Sequence, residues 1–396
     1  MNTYYIAYSL IEEQSSANQI QTRNTFSSLQ GILPNITGIF LGNKTSLFWS
    51  IRKKNSAYFV DKTNFKAGVI ERYLNIGIFR KNFFPYLFAR RCGQILKKDK
   101  SPKHIYIRQG EVDEFLFYLK RMDALQIETI IFEFHNLHFS VPHFYHWDFE
   151  KAYSYKKHAE FFDLLKQNPK RARIVTLTQS LADIIRVEFN YKETIEIIPD
   201  AHNFPIEEPK NINFKKDKIE IIYAGLNFKN RGVEMLIRAT DFLPAAFYIK
   251  LVGGHLQQRE DLKKKYHALI AQGRLILSPP VPHGNIKKVI IGADIAVLPT
   301  PSPGFANFTS PLKLFEYMAA GIPIIASDSE SFKEILSSKS ALFFKENDSS
   351  DLAAKIKYLS LNEYLAQTMG RAAFLESHNH TYEKRAEKIS RLFSPI

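Results

Sequence analysis

Two successive series of short apolar runs, each run followed by a stretch of helical periodicity, restrict this chain's fold more than any other feature of it. Strands are expected at Tyr4 to Leu10, His104 to Arg108, Thr129 to Phe134, Arg173 to Leu177 and Thr194 to Ile198, and the segment SSANQIQTRNTFSSLQ reads as the first crossover helix. The alternation then stops. PDAHNFPIEEPKNINFKKDK, residues 199–218, holds three prolines and has no periodicity, so it reads as an interdomain linker. A second series follows at Ile219 to Ala224, Tyr248 to Val252, Leu275 to Ser278, Asp294 to Leu298 and Pro323 to Ala326, each ending at Gly, Pro, Ser or Thr. Such alternation predicts parallel sheets with helices on both faces. At 396 residues the chain exceeds an ordinary single core, and its 45% hydrophobic and 24% charged residues are those of a globular protein. The expected fold class is α/β, with two doubly wound, Rossmann-like domains facing a central cleft. The expected domains are residues 1–205, residues 206–375, and a terminal helix over 376–396 able to pack back on the first domain.

Cys92 is the single cysteine, which excludes an intramolecular disulfide and a four-cysteine zinc site and fits a reducing compartment. The opening MNTYYIAYSLIEEQ has no basic start, and no stretch reaches the ~18 apolar residues of a membrane span. The expected location is therefore cytoplasmic.

Two segments of the second half carry chemistry. In AGLNFKNRGVEMLIRA a strand ends at Gly225, a basic loop holds Lys229 and Arg231, and Gly232 opens a helix. Close backbone approach, helix-end amides and a cation together suit a diphosphate, although a solvated turn explains the same pattern. In FTSPLKLFEYMAAGIPIIASD, residues 308–328, Pro311 suits a helix start, Lys313 falls in the first turn, and Glu316 lies one turn on along with Leu312. A carboxylate there can accept from two ribose hydroxyls. The alternative is a capped amphipathic helix with surface charges.

Together with PPVPHGNIKKVIIGADIAVLPT, these blocks resemble, in order, the C-terminal domain of the retaining glycosyltransferase family 4 (glycosyltransferase group 1), whose fold is GT-B. The likeness covers roughly residues 219–345. It implies a nucleotide-sugar donor and retention; a UDP- or GDP-linked donor is expected with no cofactor, and no metal is expected because Arg231, Lys313 and helix-end amides can stabilise the leaving diphosphate and no Asp-x-Asp lies in a loop suited to a metal-bound one. The likeness places the ribose-binding Glu on Glu316. The first Glu of the family's pair falls on Phe308, so sugar contacts are expected from Thr309, Ser310 and the amides after them. Of the phosphate-binding pair, one place is taken by Arg231 and the other by Leu226, and Lys313 is expected to supply the missing charge. Val281, Pro282 and His283 fall where backbone borders the nucleobase.

In the first half, IIFEFHNLHF puts Glu133, His135 and His138 at or past a strand end. The resemblance implies that His135 approaches the donor sugar; a satisfied structural histidine is the plainer reading. His135, His138 and His143 do not have the spacing of a helical zinc motif. Ser15, Ser16 and Asn18 either line the cleft or cap the first helix. Asp200 reads as a hinge or packing residue.

Residues 51–100 hold 13 Lys or Arg against 3 acids, within a formal charge of +14. Over 47–100 these cations are interleaved with aromatics. Lys81, Phe83, Phe84, Arg90 and Arg91 are candidates for an acceptor or anionic-membrane patch, against the alternative of core aromatics under a solvated face. There is no nucleic-acid module signature, and nucleic acid is not expected as a partner. The expected activity is retaining transfer of a sugar to a glycan or lipid-linked acceptor, by a cytoplasmic enzyme peripheral at the inner membrane face. A sugar-nucleotide 2-epimerase and a non-catalytic nucleotide-sugar or anionic-glycan binding protein are the alternatives.

Overall fold

The structure is a computed structural model that describes residues 1–10, 16–46, 50–63, 77–108, 110–137, 148–204, 207–300, 308 and 310–394. The chain divides into two compact units: Met1–Pro199 with Tyr382–Ile396, and Asp200–Thr381.

The first unit is built on an eight-stranded sheet of β1 (Asn2–Ala7), β2 (Ile36–Ser46), β3 (Ser50–Lys54), β4 (Ala57–Thr63), β5 (Lys103–Arg108), β6 (Ile127–Phe134), β7 (Ala172–Thr176) and β8 (Ile195–Ile197). Their spatial order is β3-β4-β2-β1-β5-β6-β7-β8, parallel throughout except for the antiparallel β3–β4 pair at one edge. The direction of winding reverses between β1 and β5, and in sheets of this kind ligands sit beyond the carboxyl ends of the strands at such a reversal. Its helices are α1 (Ala17–Ile32), α2 (Gly77–Leu96), α3 (Val112–Leu119), α4 (Asp148–Lys166) and α5 (Gln179–Phe189). Ser16 starts α1 as a capping box: its Oγ accepts the Gln19 N–H at 3.3 Å while Gln19 Oε1 accepts the Ser16 N–H at 3.0 Å. Thr178 caps α5 with its Oγ1 alone, which accepts the Leu181 N–H at 3.3 Å, and Asn190 ends the helix in the left-handed region at φ 46°.

The three strands β2, β3 and β4 lie partly in the basic stretch and were not expected. Phe59 and Phe88, two aromatics of that stretch, are buried, so there the core reading holds. Phe84 is half-buried, Arg90 is exposed, and Arg91 donates to Gln94 Oε1 at 3.0 Å. The side chains of Lys81 and Phe83 lie outside the described residues.

The second unit has a six-stranded, all-parallel sheet of β9 (Ile219–Gly225), β10 (Phe247–Gly253), β11 (Leu275–Ser278), β12 (Ile295–Leu298), β13 (Ile324–Ser327) and β14 (Ala341–Phe344), in the order β11-β10-β9-β12-β13-β14. Here the reversal falls between β9 and β12. The helices are α6 (Val233–Arg238), α7 (Leu256–Lys265), α8 (His267–Ala271), α9 (His283–Gly292), α10 (Leu312–Ala320), α11 (Glu330–Lys333), α12 (Ser349–Leu361) and α13 (Glu363–Ser377). Part of the aperiodic stretch packs on this unit: Ile212 and Phe214 are buried in its core, and their amides donate to Gln367 and Glu363.

The chain then returns. His202 N–H donates to His380 O at 3.0 Å, and a parallel bridge joins His202 to Thr381, where the chain leaves the second unit. α14 (Tyr382–Arg391) and the residues after it belong to the first unit, with Ala386, Ile389, Leu392 and Phe393 in one apolar cluster with Tyr5, Phe26 and Phe40. No helix among the described residues is long and apolar enough to cross a membrane.

Candidate active site

In the second unit the residues singled out from sequence converge at the β9/β12 reversal. β9 ends at Gly225, whose carbonyl accepts the Gly254 N–H at 2.8 Å. Gly232 starts α6 at φ 71°, and a Cβ there would stand 1.8 Å from the Pro299 carbonyl oxygen. The loop carrying Arg231 therefore crosses directly over the end of β12, and only glycine fits the crossing.

α10 supplies Lys313 and Glu316 from its first turns. Pro311 is its N-cap, one position before the place expected for it, and no side chain caps the helix start. Gly321 closes the helix at φ 65°. Tyr317 fixes the helix to the sheet: its hydroxyl accepts the Ala224 N–H at 2.9 Å. All of α10 except Lys313 is buried, so its amphipathic-surface reading fails.

Lys313 donates from Nζ to the Tyr223 hydroxyl at 2.7 Å and stands 4.1 Å from the centre of that ring. A Cβ on Gly225 would come within 3.0 Å of the same ammonium. Burial, reinforced by the positive field of Arg231, pulls Lys313 down to about 7, against an opposing pull from Glu316. Burial likewise pushes Glu316 up to about 7, while Lys313 draws it the other way. The helix thus presents a pair of opposite charges held near their titration points. An anionic ligand that ionises Lys313, and hydroxyl donors that ionise Glu316, would complete it.

His283 Nδ1 lies 3.5 Å from Glu316 Oε1, and its Nε2 is 3.3 Å from Asn203 Oδ1. Burial lowers the His283 pKa. Pro282 is the N-cap of α9 just before it. Ser310 is buried, and its Oγ accepts the Asp200 N–H at 2.9 Å, which gives it a role in holding the chain crossing. Asp200 is itself buried, as a hinge or packing residue should be. Leu312 is buried. Phe308 is buried at 6% exposure, whereas Leu226 is 40% exposed. Thr309 lies outside the described residues.

In the first unit, His135 follows β6, and its Nε2 lies 2.5 Å from Glu133 Oε1. Glu133 is fully buried among Tyr106, Arg108 and Arg385. Burial alone would raise its pKa, but Arg385, the His135 hydrogen bond and Arg108 hold it well below the usual carboxylate range. Arg108 is also held by Asn18, Gln21 and Thr22. Asn18 and His135 line one pocket of about 150 Å³, with Tyr8, Glu111, Asn136 and His158 also on its wall. This pocket lies past the ends of β1, β5 and β6. His138 and His143 lie outside the described residues. Tyr223, Arg108 and Arg385 were not singled out from sequence: Tyr223 sits inside an apolar strand and Arg385 inside a charged helix, so neither stands apart from its neighbours.

Residues 206–375 match the family model described as Glycosyl transferases group 1. The chain carries a group 1 glycosyltransferase domain. Among solved structures, this glycosyltransferase is similar to sucrose-phosphate synthase from Thermosynechococcus elongatus, at 14% identity over 99% of this chain and 98% of the other, with TM-score 0.73. It is also similar to the Anabaena protein HepE solved with UDP, at 11% identity over 99% of each chain and TM-score 0.68. A third likeness is the trehalose-6-phosphate synthase OtsA, at 13% identity over the whole of both chains and TM-score 0.67. These likenesses establish the GT-B fold. A search of curated proteins gives no match.

Proposed function

We propose that this glycosyltransferase moves a sugar, with retention and without a metal, from a nucleoside-diphosphate sugar held by the second unit to a glycan or lipid-linked acceptor. The observation that carries the reading is the placement of Lys313 and Glu316 on one buried helix face, with Gly225 and Tyr223 against the lysine. HepE is a structural neighbour solved with UDP and with UDP-glucose, which supports a uridine donor.

Lys313 and Arg231 face the pyrophosphate. As the anomeric carbon–oxygen bond to the β-phosphate breaks towards an oxocarbenium-like state, negative charge grows on the leaving diphosphate, and these cations with the first amides of α10 stabilise it. Glu316 accepts from the ribose hydroxyls, and backbone at Pro282 borders the base. With Phe308 buried where the family carries its first Glu, the donor sugar is held by Ser310, Thr309 and neighbouring amides. Cationic groups of the protein then do what a metal does elsewhere, and no cofactor is needed.

The acceptor site belongs to the first unit. Exposed Lys53, Lys54, Arg90, Lys97, Lys98 and Lys100 support a peripheral contact with an anionic membrane on the cytoplasmic side.

The test is release of nucleoside diphosphate from a panel of UDP- and GDP-sugars, with and without lipid-linked and oligosaccharide acceptors, in excess chelator. Acceptor-dependent turnover that survives chelation, with the anomeric configuration kept in the product, is the expected result. Turnover that vanishes with chelator and returns with a divalent ion would overturn metal independence. Binding of every donor without turnover would overturn the enzyme.

A further inference from the structure

We propose that the first unit docks on an anionic lipid surface through the amino-terminal edge of its sheet, with the pocket beside His135 at the opposite edge and turned from the lipid. The docking rests on the peripheral membrane contact proposed above, and gives that contact a face and a direction.

Topology sorts the charges. β1, β2 and β4 to β8 run parallel, so the connections entering these strands meet at one edge of the sheet and those leaving them meet at the other. The hairpin end 53–56 and the connections 97–102, 120–126 and 167–171 lie at the entering edge and hold nine Lys or Arg against two acids, Asp99 and Asp123. At the same edge, 33–35 is uncharged and 190–194 has one charge of each sign. The leaving edge differs in sign. Residues 8–16 and 109–111, which leave β1 and β5, carry three acids and no Lys or Arg, against a surplus of one cation in 64–76 after β4. An anionic plane turns a unit so polarised with its entering edge towards it.

The acids of the entering edge are engaged by the protein itself. Asp99 accepts from Asn2 Nδ2 and the Tyr4 hydroxyl, each at 2.9 Å, and from Ser101 Oγ at 2.7 Å. Asp123 pairs with Arg171 at 2.7 Å. Lys53, Lys54, Lys97, Lys98, Lys100 and Lys170 are exposed and have no acid partner among the described residues. β4 and β7 stand five strands apart in the sheet order, so at about 4.8 Å per strand these cations spread over ~24 Å. Among them lie two exposed apolar side chains, Met1 at 64% and Ile32 at 39%. Lipid takes such side chains between its headgroups, whereas a nucleic-acid phosphate backbone is bound by cations alone, so the mixture favours lipid.

The pocket lined by Asn18, Glu111 and Asn136 lies past the other end of the same strands. β6 has eight residues, which at about 3.3 Å each separate the two edges by ~26 Å. A lipid-linked acceptor must therefore present a sugar chain that reaches this far from the bilayer.

Cys92 is the single cysteine and is buried, so a cysteine introduced at the surface takes a fluorophore selectively. Full-length Lys98→Cys and Asn136→Cys proteins, each labelled, are mixed with phosphatidylglycerol–phosphatidylcholine vesicles that carry a headgroup spin label. Quenching at position 98 and none at 136 is the expected result. Bound protein quenched at 136, or at neither position, would overturn the docking face and leave peripheral contact standing. Failure to bind the vesicles would overturn both. Lys53→Gln, Lys54→Gln, Lys100→Gln and Lys170→Gln together should lower vesicle affinity more than about a hundredfold, at about fivefold per cation. Lys264→Gln, Lys339→Gln, Lys345→Gln and Lys357→Gln together, an equal loss of exposed charge from the second unit, should lower it less than about fivefold. Equal losses in the two variants would overturn the proposal, since net charge alone would then drive binding. Single-stranded RNA bound through the first four lysines, with vesicles left unbound, would overturn it in favour of nucleic acid.

Discussion

Lys313 Nζ lies 2.7 Å from the Tyr223 hydroxyl and 4.1 Å from the centre of the same ring, so a single aromatic side chain both accepts from and faces this cation. Tyr223 is fully buried, and burial raises the pKa of its hydroxyl further from neutrality. Tyr223→Phe keeps the ring and removes the acceptor. Losing one hydrogen bond to a partly buried charge should cost about 1–2 kcal/mol, read as a lower urea midpoint at unchanged slope. It should also weaken UDP binding, because the ammonium loses its fixed direction. Unchanged affinity would show that the lysine is oriented by other groups.

The near-neutral titration of Lys313 and Glu316 makes nucleotide affinity depend on pH in two directions. As pH rises through about 7 the free protein loses the Lys313 proton, which a bound diphosphate must recover, so affinity falls with proton uptake. As pH drops through about 7 Glu316 becomes protonated and loses acceptor capacity for ribose hydroxyls, so affinity falls there as well. UDP binding measured by calorimetry from pH 5.5 to 8.5, in buffers of different ionisation enthalpy, should therefore pass through a maximum near neutrality. Affinity that is flat above pH 7.5, with no proton uptake, would remove Lys313 from the phosphate site.

Glu316→Gln separates binding from folding. The folded carboxyl takes up protons between about 4.5 and 7 that the unfolded chain does not, so its contribution to stability drops as pH rises across that window. The glutamine lacks this slope. Relative to wild type, the variant should be more stable at pH 8 than at pH 5 by roughly 1–3 kcal/mol. UDP affinity should nevertheless fall about tenfold or more with the loss of a charged acceptor.

Gly232→Ala places a methyl group 1.8 Å from the Pro299 carbonyl oxygen, at a φ of 71°. Neither atom is a flexible side-chain end, so the loop bearing Arg231 must move. A loss of about 2–4 kcal/mol is expected, together with loss of UDP binding. A stable variant that binds normally would place the loop away from the donor.

The strands of both sheet centres were legible because they are short apolar runs stopped by Gly, Pro, Ser or Thr. β3 was not, because SIRKK is an edge strand whose outward cations mask its pattern, and β2 is interrupted by Gly38, Gly42, Asn43 and Lys44. Glu316 and Lys313 were found through helical spacing and family likeness. Tyr223 was hidden because a tyrosine inside IEIIYAG reads as core, and it is core as well as partner to Lys313. The pairing of Glu133 with Arg385 spans 252 residues and leaves no local trace. A single sequence shows two charges there, and only the fold shows that they meet.

A segment that follows the whole second unit completes the first unit, and this has a consequence for biogenesis. While a ribosome still shields α14, the emerging amino-terminal half lacks the side chains of Ala386, Ile389, Leu392 and Phe393 that finish its apolar cluster. It also lacks the Arg385 guanidinium that pairs with the fully buried Glu133 carboxylate. Domains commonly mature in order of synthesis. This one must wait for α14, so emergence of residues 382–391, rather than of residue 199, sets when it reaches its native state.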